Sequence, residues 1–166
     1  MTPKQLAIRQ FIAGRHYTKL VLEHTPFDLW FQFPAGVTTH VAWQVGHITW
    51  ATSLHVFRTI GEREDFDDGV LDARWGKLFG KGSEASDDAS LYPTPAELTR
   101  VLDEQYTMCL AFLEEQADSF FDQPSGHSTG MIETKLDLLL YLSRHELLHV
   151  GQIGLIRRVL GQTPYR

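Results

Sequence analysis

Cysteine is almost missing from this chain of 166 residues: Cys109 stands alone, so no internal disulfide can form. That excludes a small scaffold stapled by disulfides and fits a reducing compartment. Long apolar runs are missing too; the longest fall well short of the ~18 residues that a membrane-spanning helix needs. The first residues, Met1 to Gln5, carry no basic stretch followed by an apolar one, so no secretory signal is expected and the cytoplasm is the expected location. A basic surplus is lacking: 15 Lys and Arg face 21 Asp and Glu, for a net charge of −6. Nucleic acid and anionic membrane, which both favour basic surfaces, are therefore not expected partners. No segment alternates apolar and polar residues with β-branched enrichment, and no internal repeat is visible, so sheets and solenoids are not expected either.

What remains reads as helix. With 43% apolar and 22% charged residues, the chain is long enough for a single domain over residues 1–166 with a real core. A first helix is predicted to open at Thr2-Pro3-Lys4-Gln5, where Thr2 caps, Pro3 suits the first turn and Gln5 closes a capping box. It stops before Pro26. Pro34 and Gly36 mark a connector. A second helix is predicted from a cap at Thr38 or Thr39 to about Ile60, with Gly61 as a left-handed C-terminal residue. A polar stretch follows, from Glu62 to Pro93. Within it Val70, Leu71, Trp75, Leu78 and Phe79 suggest a short docked helix. Thr94-Pro95-Ala96-Glu97 repeats the cap, proline and acid pattern and starts a third helix that runs to about Ala117. The fourth begins near Glu133 or Thr134 and ends at Leu160, before Gly161 and Pro164. The expected fold is all-α: a four-helix bundle with a long crossover between helices 2 and 3.

The strongest chemical signal is His145-Glu146-Leu147-Leu148-His149. Residues four apart share one helix face, so two imidazoles can meet one metal ion there. The string also matches the H-E-x-x-H motif of zinc proteases, in which the Glu is general base. That motif needs a third ligand downstream, yet no Glu, Asp or His follows His149, and the extended form is broken by Gln152 and Leu155. A di-iron carboxylate site needs two Glu-x-x-His pairs, and only Glu146 to His149 supplies one. A third ligand must come from upstream. On helix 2, His40, Trp43, His47, Trp50 and Leu54 advance by three or four and share a face. His40 lies at the helix entrance and His55 is rotated away, so His47, between two tryptophans, is the best choice. His16, His24 and His127 are read as surface or loop residues, and Cys109 as a small core filler.

These segments resemble a known family. His145-Glu-Leu-Leu-His149-Val-Gly-Gln152, running into an apolar and basic helix that ends at Gly161, resembles the last helix of the DinB/YfiT-like proteins. Ala42-Trp43-Gln44-Val45-Gly46-His47-Ile48 is similar to their second helix, and the Trp75–Phe79 insert and the start of helix 3 also fit. The resemblance implies a four-helix bundle, often a homodimer, that holds a divalent ion (zinc, nickel or iron) with His47, His145 and His149. It implies chemistry with a low-molecular-weight thiol on a small-molecule substrate, as in bacillithiol S-transferases, a mycothiol-dependent maleylpyruvate isomerase and the thiol-side domain of ergothioneine-synthesising enzymes. The alternatives are a metal-binding or sensor protein without turnover and a purely structural dimeric bundle. Several transferases carry one more histidine just before the paired motif, where this chain has Arg144.

Around the three histidines, Gln152 shares the face of His145 and either orients a ligand or makes a helix-packing hydrogen bond. Gly151 is expected to admit a neighbouring helix. Tyr141 lines the pocket or packs in the core, and Trp43 and Trp50 form an apolar wall or simply core. Glu146 is expected at the surface or behind the ligands. Arg157 and Arg158 suit the helix C-terminus, and one of them is a candidate partner for an anionic thiol.

Overall fold

The structure is a computed structural model that describes residues 1–64, 71–127 and 130–164. Among these, five α-helices and no strand occur: α1 (Pro3–Glu23), α2 (Val41–Ser53), α3 (Ala73–Phe79), α4 (Pro95–Glu115) and α5 (Lys135–Val159). The long helices α1, α2, α4 and α5 make the helical bundle, and α3 is the short helix of the polar stretch. Gly69 and Val70 of that stretch lie outside the described residues. No helix among those described is long and apolar enough to cross a membrane.

The helix starts follow from local chemistry. Thr2 accepts from the Gln5 amide while the Gln5 side chain accepts from the Thr2 amide, a closed capping box. Thr134 and Asp137 repeat the device at the head of α5, and Thr94 caps α4. At α2 the cap is His40, not Thr38 or Thr39. Its Nδ1 accepts the Trp43 amide at 3.0 Å while its Nε2–H donates to the Ser86 carbonyl at 2.9 Å. An imidazole can take this place because it accepts at one nitrogen and donates at the other. Burial lowers its pKa and favours that neutral form.

The far end of α2 also differs from expectation. After Ser53 the chain continues as a π-helical segment, Leu54–Ile60, closed by a Gly61 amide bond to the Val56 carbonyl. Gly61 has an ordinary φ of −79°, and the left-handed residue is Glu62 at φ 53°. Glycine at 61 serves close approach instead: a Cβ there would stand 2.6 Å from the Phe57 carbonyl oxygen. Glu62 in turn reaches Lys135 at 2.7 Å, tying the end of α2 to the head of α5. At the C-terminus of α5, Gly161 is left-handed, φ 84°.

Helix α1 packs chiefly on α5 and α2 chiefly on α4, while α2 also meets α3 and α5. Two apolar clusters fill the bundle. One gathers Val41, Val45, Ile48, Phe79, Leu98, Val101, Ile153 and Ile156 around α2, α3 and the C-terminal half of α5. The other gathers Phe11, Val56, Ile60, Cys109, Leu113, Leu138 and Leu142 at the opposite end. Buried polar side chains include Arg15, Thr18, Gln44, Gln105, Glu146 and His149, and several of them bear on what the protein does.

Candidate metal centre

His47 lies midway along α2, while His145 and His149 lie one turn apart on α5. Because α2 and α5 pack together, the three imidazoles meet: one nitrogen of each lies within 4.8 Å of the others. The Nε2 atoms of His145 and His149 are 3.1 Å apart, and those of His47 and His145 are 3.4 Å apart. His40 is committed to its cap and His55 is not among the three.

Two of the rings are oriented from behind. His47 Nδ1–H donates to the Phe79 carbonyl at 2.6 Å. That carbonyl is at hand because Phe79 closes α3, and last-turn carbonyls have no helical donor. His149 Nδ1–H donates to Gln44 Oε1 at 2.5 Å, and the Gln44 amide donates to Thr39 Oγ1 at 3.0 Å. With both Nδ1 positions carrying the proton, Nε2 of His47 and of His149 presents a lone pair to the shared centre. This is the outer arrangement typical of metal-binding histidine.

Burial tunes the charge of the cluster. Desolvation lowers the pKa of His47. It does the same to His145, with help from His47 and His55, bringing it to about 4. His149 falls to about 3 through burial and then His145 and His47. All three are neutral at pH 7, the form a metal ion requires. Tetrahedral bonds of about 2.0–2.1 Å separate ligand nitrogens by roughly 3.3–3.4 Å, close to the separations of two of the three pairs, the third lying within 4.8 Å. The donor set and its spacing therefore fit a divalent ion.

The walls are aromatic. Trp43 stacks on His47, rings 4.9 Å apart and 10° from parallel, and its Nε1–H donates to Ser83 Oγ at 3.0 Å. Trp50 stands 6.2 Å from His47, and Tyr141 tilts against His145 at 5.7 Å while packing into the second apolar cluster. Gly46 makes room for this arrangement: a Cβ there would lie 2.3 Å from the ring of Phe79, whose carbonyl holds His47. Gln152 is exposed and lines a recess of about 690 Å³ together with Trp43, Gln44, Thr38, Thr39 and Ser83. The recess abuts the residues that orient the histidines.

Several expectations need correction. Glu146 is neither at the surface nor behind the histidines. It is 1% exposed and faces α1, where Arg15 Nε reaches its Oε1 at 2.7 Å and the Thr18 hydroxyl donates to the same atom at 2.6 Å. An acid between two histidines reads as solvent-facing only if its partner, 131 residues away, is unknown. Arg157 is buried, with its guanidinium on the His24 carbonyl at 2.5 Å and 3.1 Å, which removes it as an anchor for an anionic thiol. His127 lies in a loop, as expected, with its ring 5.8 Å from that of His55. Burial, then His127 and His47, bring the His55 pKa to about 4. Gly151 is exposed, and a Cβ added there would meet nothing within 4 Å, so no helix among the described residues approaches it.

Gln44 escaped notice in the sequence, although it lies three residues before His47 on the same helix and so near its face. The Phe79 carbonyl could not have been found, because a backbone acceptor leaves no mark on residue type.

The family model of the DinB superfamily matches residues 10–153. No curated protein and no solved structure matches the chain. The matched span contains all three histidines and most of the bundle; the chain belongs to the DinB superfamily.

Proposed function

We propose that this member of the DinB superfamily is a metal-dependent enzyme that holds one divalent ion on His47, His145 and His149 and uses a low-molecular-weight thiol, as an S-transferase or isomerase. The observation that carries the reading is the convergence of three imidazole nitrogens, two of them with Nδ1–H turned outward onto fixed acceptors. Three protein ligands leave a coordination position open, the pattern of catalytic sites. A divalent ion bound there supplies Lewis acidity that favours the thiolate of a small thiol at neutral pH. The chain's own part is to keep the imidazoles neutral through burial and to fix two rings through Phe79 and Gln44. Trp43 screens one face of the centre from water, and the recess beside Gln152 accommodates the rest of the small molecule. Nitrogen donors accept zinc, nickel and iron alike.

The same reading includes a homodimer and a cytoplasmic location. Leu148, Leu155 and Val159 form an exposed apolar stripe on the outer side of α5, flanking Gly151, and this supports self-association. The single buried Cys109 fits a reducing compartment. Light scattering of the purified protein tests the dimer.

The deciding experiment joins metal analysis to a thiol-consumption assay with several thiols and an electrophile. The wild type is expected to hold one ion per chain and to turn over with at least one thiol. His149→Ala is expected to lose both while keeping its helical circular dichroism. Full metal content in His149→Ala would overturn the ligand assignment. Stoichiometric metal in the wild type without turnover on any thiol would instead favour a metal-binding protein without catalysis.

A further inference from the structure

We infer that Glu146, clamped by Arg15 and Thr18, is a positioning residue for the metal centre: it sets the rotation of α5 and thereby aims His145 and His149. The inference rests on the metal reading above.

Successive residues of an α-helix are about 100° apart around the axis. Both histidines therefore lie to the same side of Glu146 on the helix surface, His149 about 60° and His145 about 100° around the axis from it. The clamp grips α5 within the very turn that carries the ligands. Arg15 and Glu146 are 3% and 1% exposed, so their 2.7 Å bond is held in the interior. Arg15 is itself fixed from α4, by donating to the Leu102 carbonyl at 2.8 Å and by lying 4.6 Å from the centre of the Tyr106 ring. Helix α1 comes close here, since a Cβ on Gly14 would be 3.4 Å from the Ser143 carbonyl and 3.8 Å from the Glu146 Cβ. Three helices therefore meet at one carboxylate.

Rotation is the coordinate that matters. At the outer radius of a helix with its side chains, a turn of roughly 10° carries an atom about 1 Å. Metal–ligand distances tolerate only about 0.2 Å. The hydrophobic effect is non-directional and does not by itself specify one rotation. A directional ion pair does. Stability alone does not account for its presence: a buried ion pair is often matched or bettered by apolar residues of similar size, and the second carboxylate oxygen of Glu146 has no hydrogen-bond partner among the described residues. What the pair adds is a fixed direction. The glutamate of the H-E-x-x-H string thereby acquires a role that is neither general base nor ligand.

The test uses Co²⁺ as probe, reading affinity by chelator competition and coordination by ligand-field absorption. Glu146→Gln is expected to weaken Co²⁺ binding by about tenfold or more and to alter the absorption band. Thr18→Val, which removes the hydroxyl bond to Glu146 and a longer one to the Gly14 carbonyl within α1, is expected to move both readouts the same way by less, and it serves if Glu146→Gln does not fold. Leu139→Ala, a core change on the same helix, is expected to lower the melting temperature while leaving Co²⁺ affinity and spectrum as in the wild type. Unchanged affinity and spectrum in the folded Glu146 and Thr18 variants would overturn this inference alone. An equal loss in Leu139→Ala would overturn it as well, by reducing the clamp to general stability. Failure of the wild type to bind Co²⁺ would overturn the metal reading and this inference together.

Discussion

The side of α5 that faces α2 and the side that faces α1 both bury polar groups, yet they satisfy them differently. Towards α1, Glu146 meets a cation of the same chain, and opposite charges compensate each other inside the bundle. Towards α2, His145 and His149 meet a third imidazole, and three uncharged ring nitrogens converge with no carboxylate among them. In the first arrangement the chain supplies the opposite charge itself; the second could hold a cation from outside. One helix thus carries a structural contact and a candidate metal centre on neighbouring faces, and the difference lies in whether the partner is covalently part of the chain.

Breaking the self-contained side should have the larger effect on folding. Arg15→Met leaves Glu146 buried without its cation and is expected to cost about 3–5 kcal/mol by urea denaturation. The double variant Arg15→Met, Glu146→Met should regain most of that loss, since apolar replacement of both partners is often near neutral. If the single variant were as stable as the wild type, the pair would have no compensating role.

On the open side, Gln44→Ala removes the acceptor that orients His149. Metal affinity is expected to fall by about 10- to 100-fold with little change in fold, measured by competition with a chromophoric chelator. Unaltered affinity would show that His149 needs no orientation from α2.

Acid should separate the two sides in the metal-free protein. The folded pKa values of His145 and His149, about 4 and about 3, lie below the ordinary 6.5. As pH falls below about 6.5 the unfolded chain binds protons that the folded chain refuses, so stability is full above that value and declines towards about pH 3. Each group contributes a slope of at most about 1.4 kcal/mol per pH unit. Melting curves taken from neutral pH down to about pH 4 should show the decline in the wild type and a shallower one in a His145→Ala, His149→Ala variant.

The outer side of α5 offers the smallest effect. Gly151 is helical, exposed and meets no neighbour among the described residues. Gly151→Ala should stabilise the chain by about 0.5–1 kcal/mol in thermal unfolding at concentrations low enough to keep it monomeric; a destabilisation there would mean that helix propensity does not decide at this position.

Much of this organisation is legible in the sequence. Thr2, Thr94 and Thr134 announce their helices because capping is local chemistry. The helical spacing of His145 and His149, and the central place of His47 between two tryptophans, identify the residues that the fold brings together. What stays hidden is whatever depends on partners far apart in the chain or on the main chain. Glu146 looks like a surface acid until α1 is docked, and Arg15 looks like any exposed cation of an amphipathic helix. His40 takes the cap in place of two threonines, and its second ring nitrogen reaches Ser86, far along the chain. The π-helical end of α2 has no counterpart in the helical spacing of the sequence.

The Phe79 carbonyl has a consequence for descent. A side-chain partner of a histidine is exposed to every substitution at its position, but a carbonyl is present whatever residue stands there. Position 79 can drift among residues that fill the same space, and His47 keeps its acceptor as long as the short helix ends at the same place. Two distant members of the superfamily could share this half of the site without one identical residue supporting it, and the inherited trait would be the length of a helix.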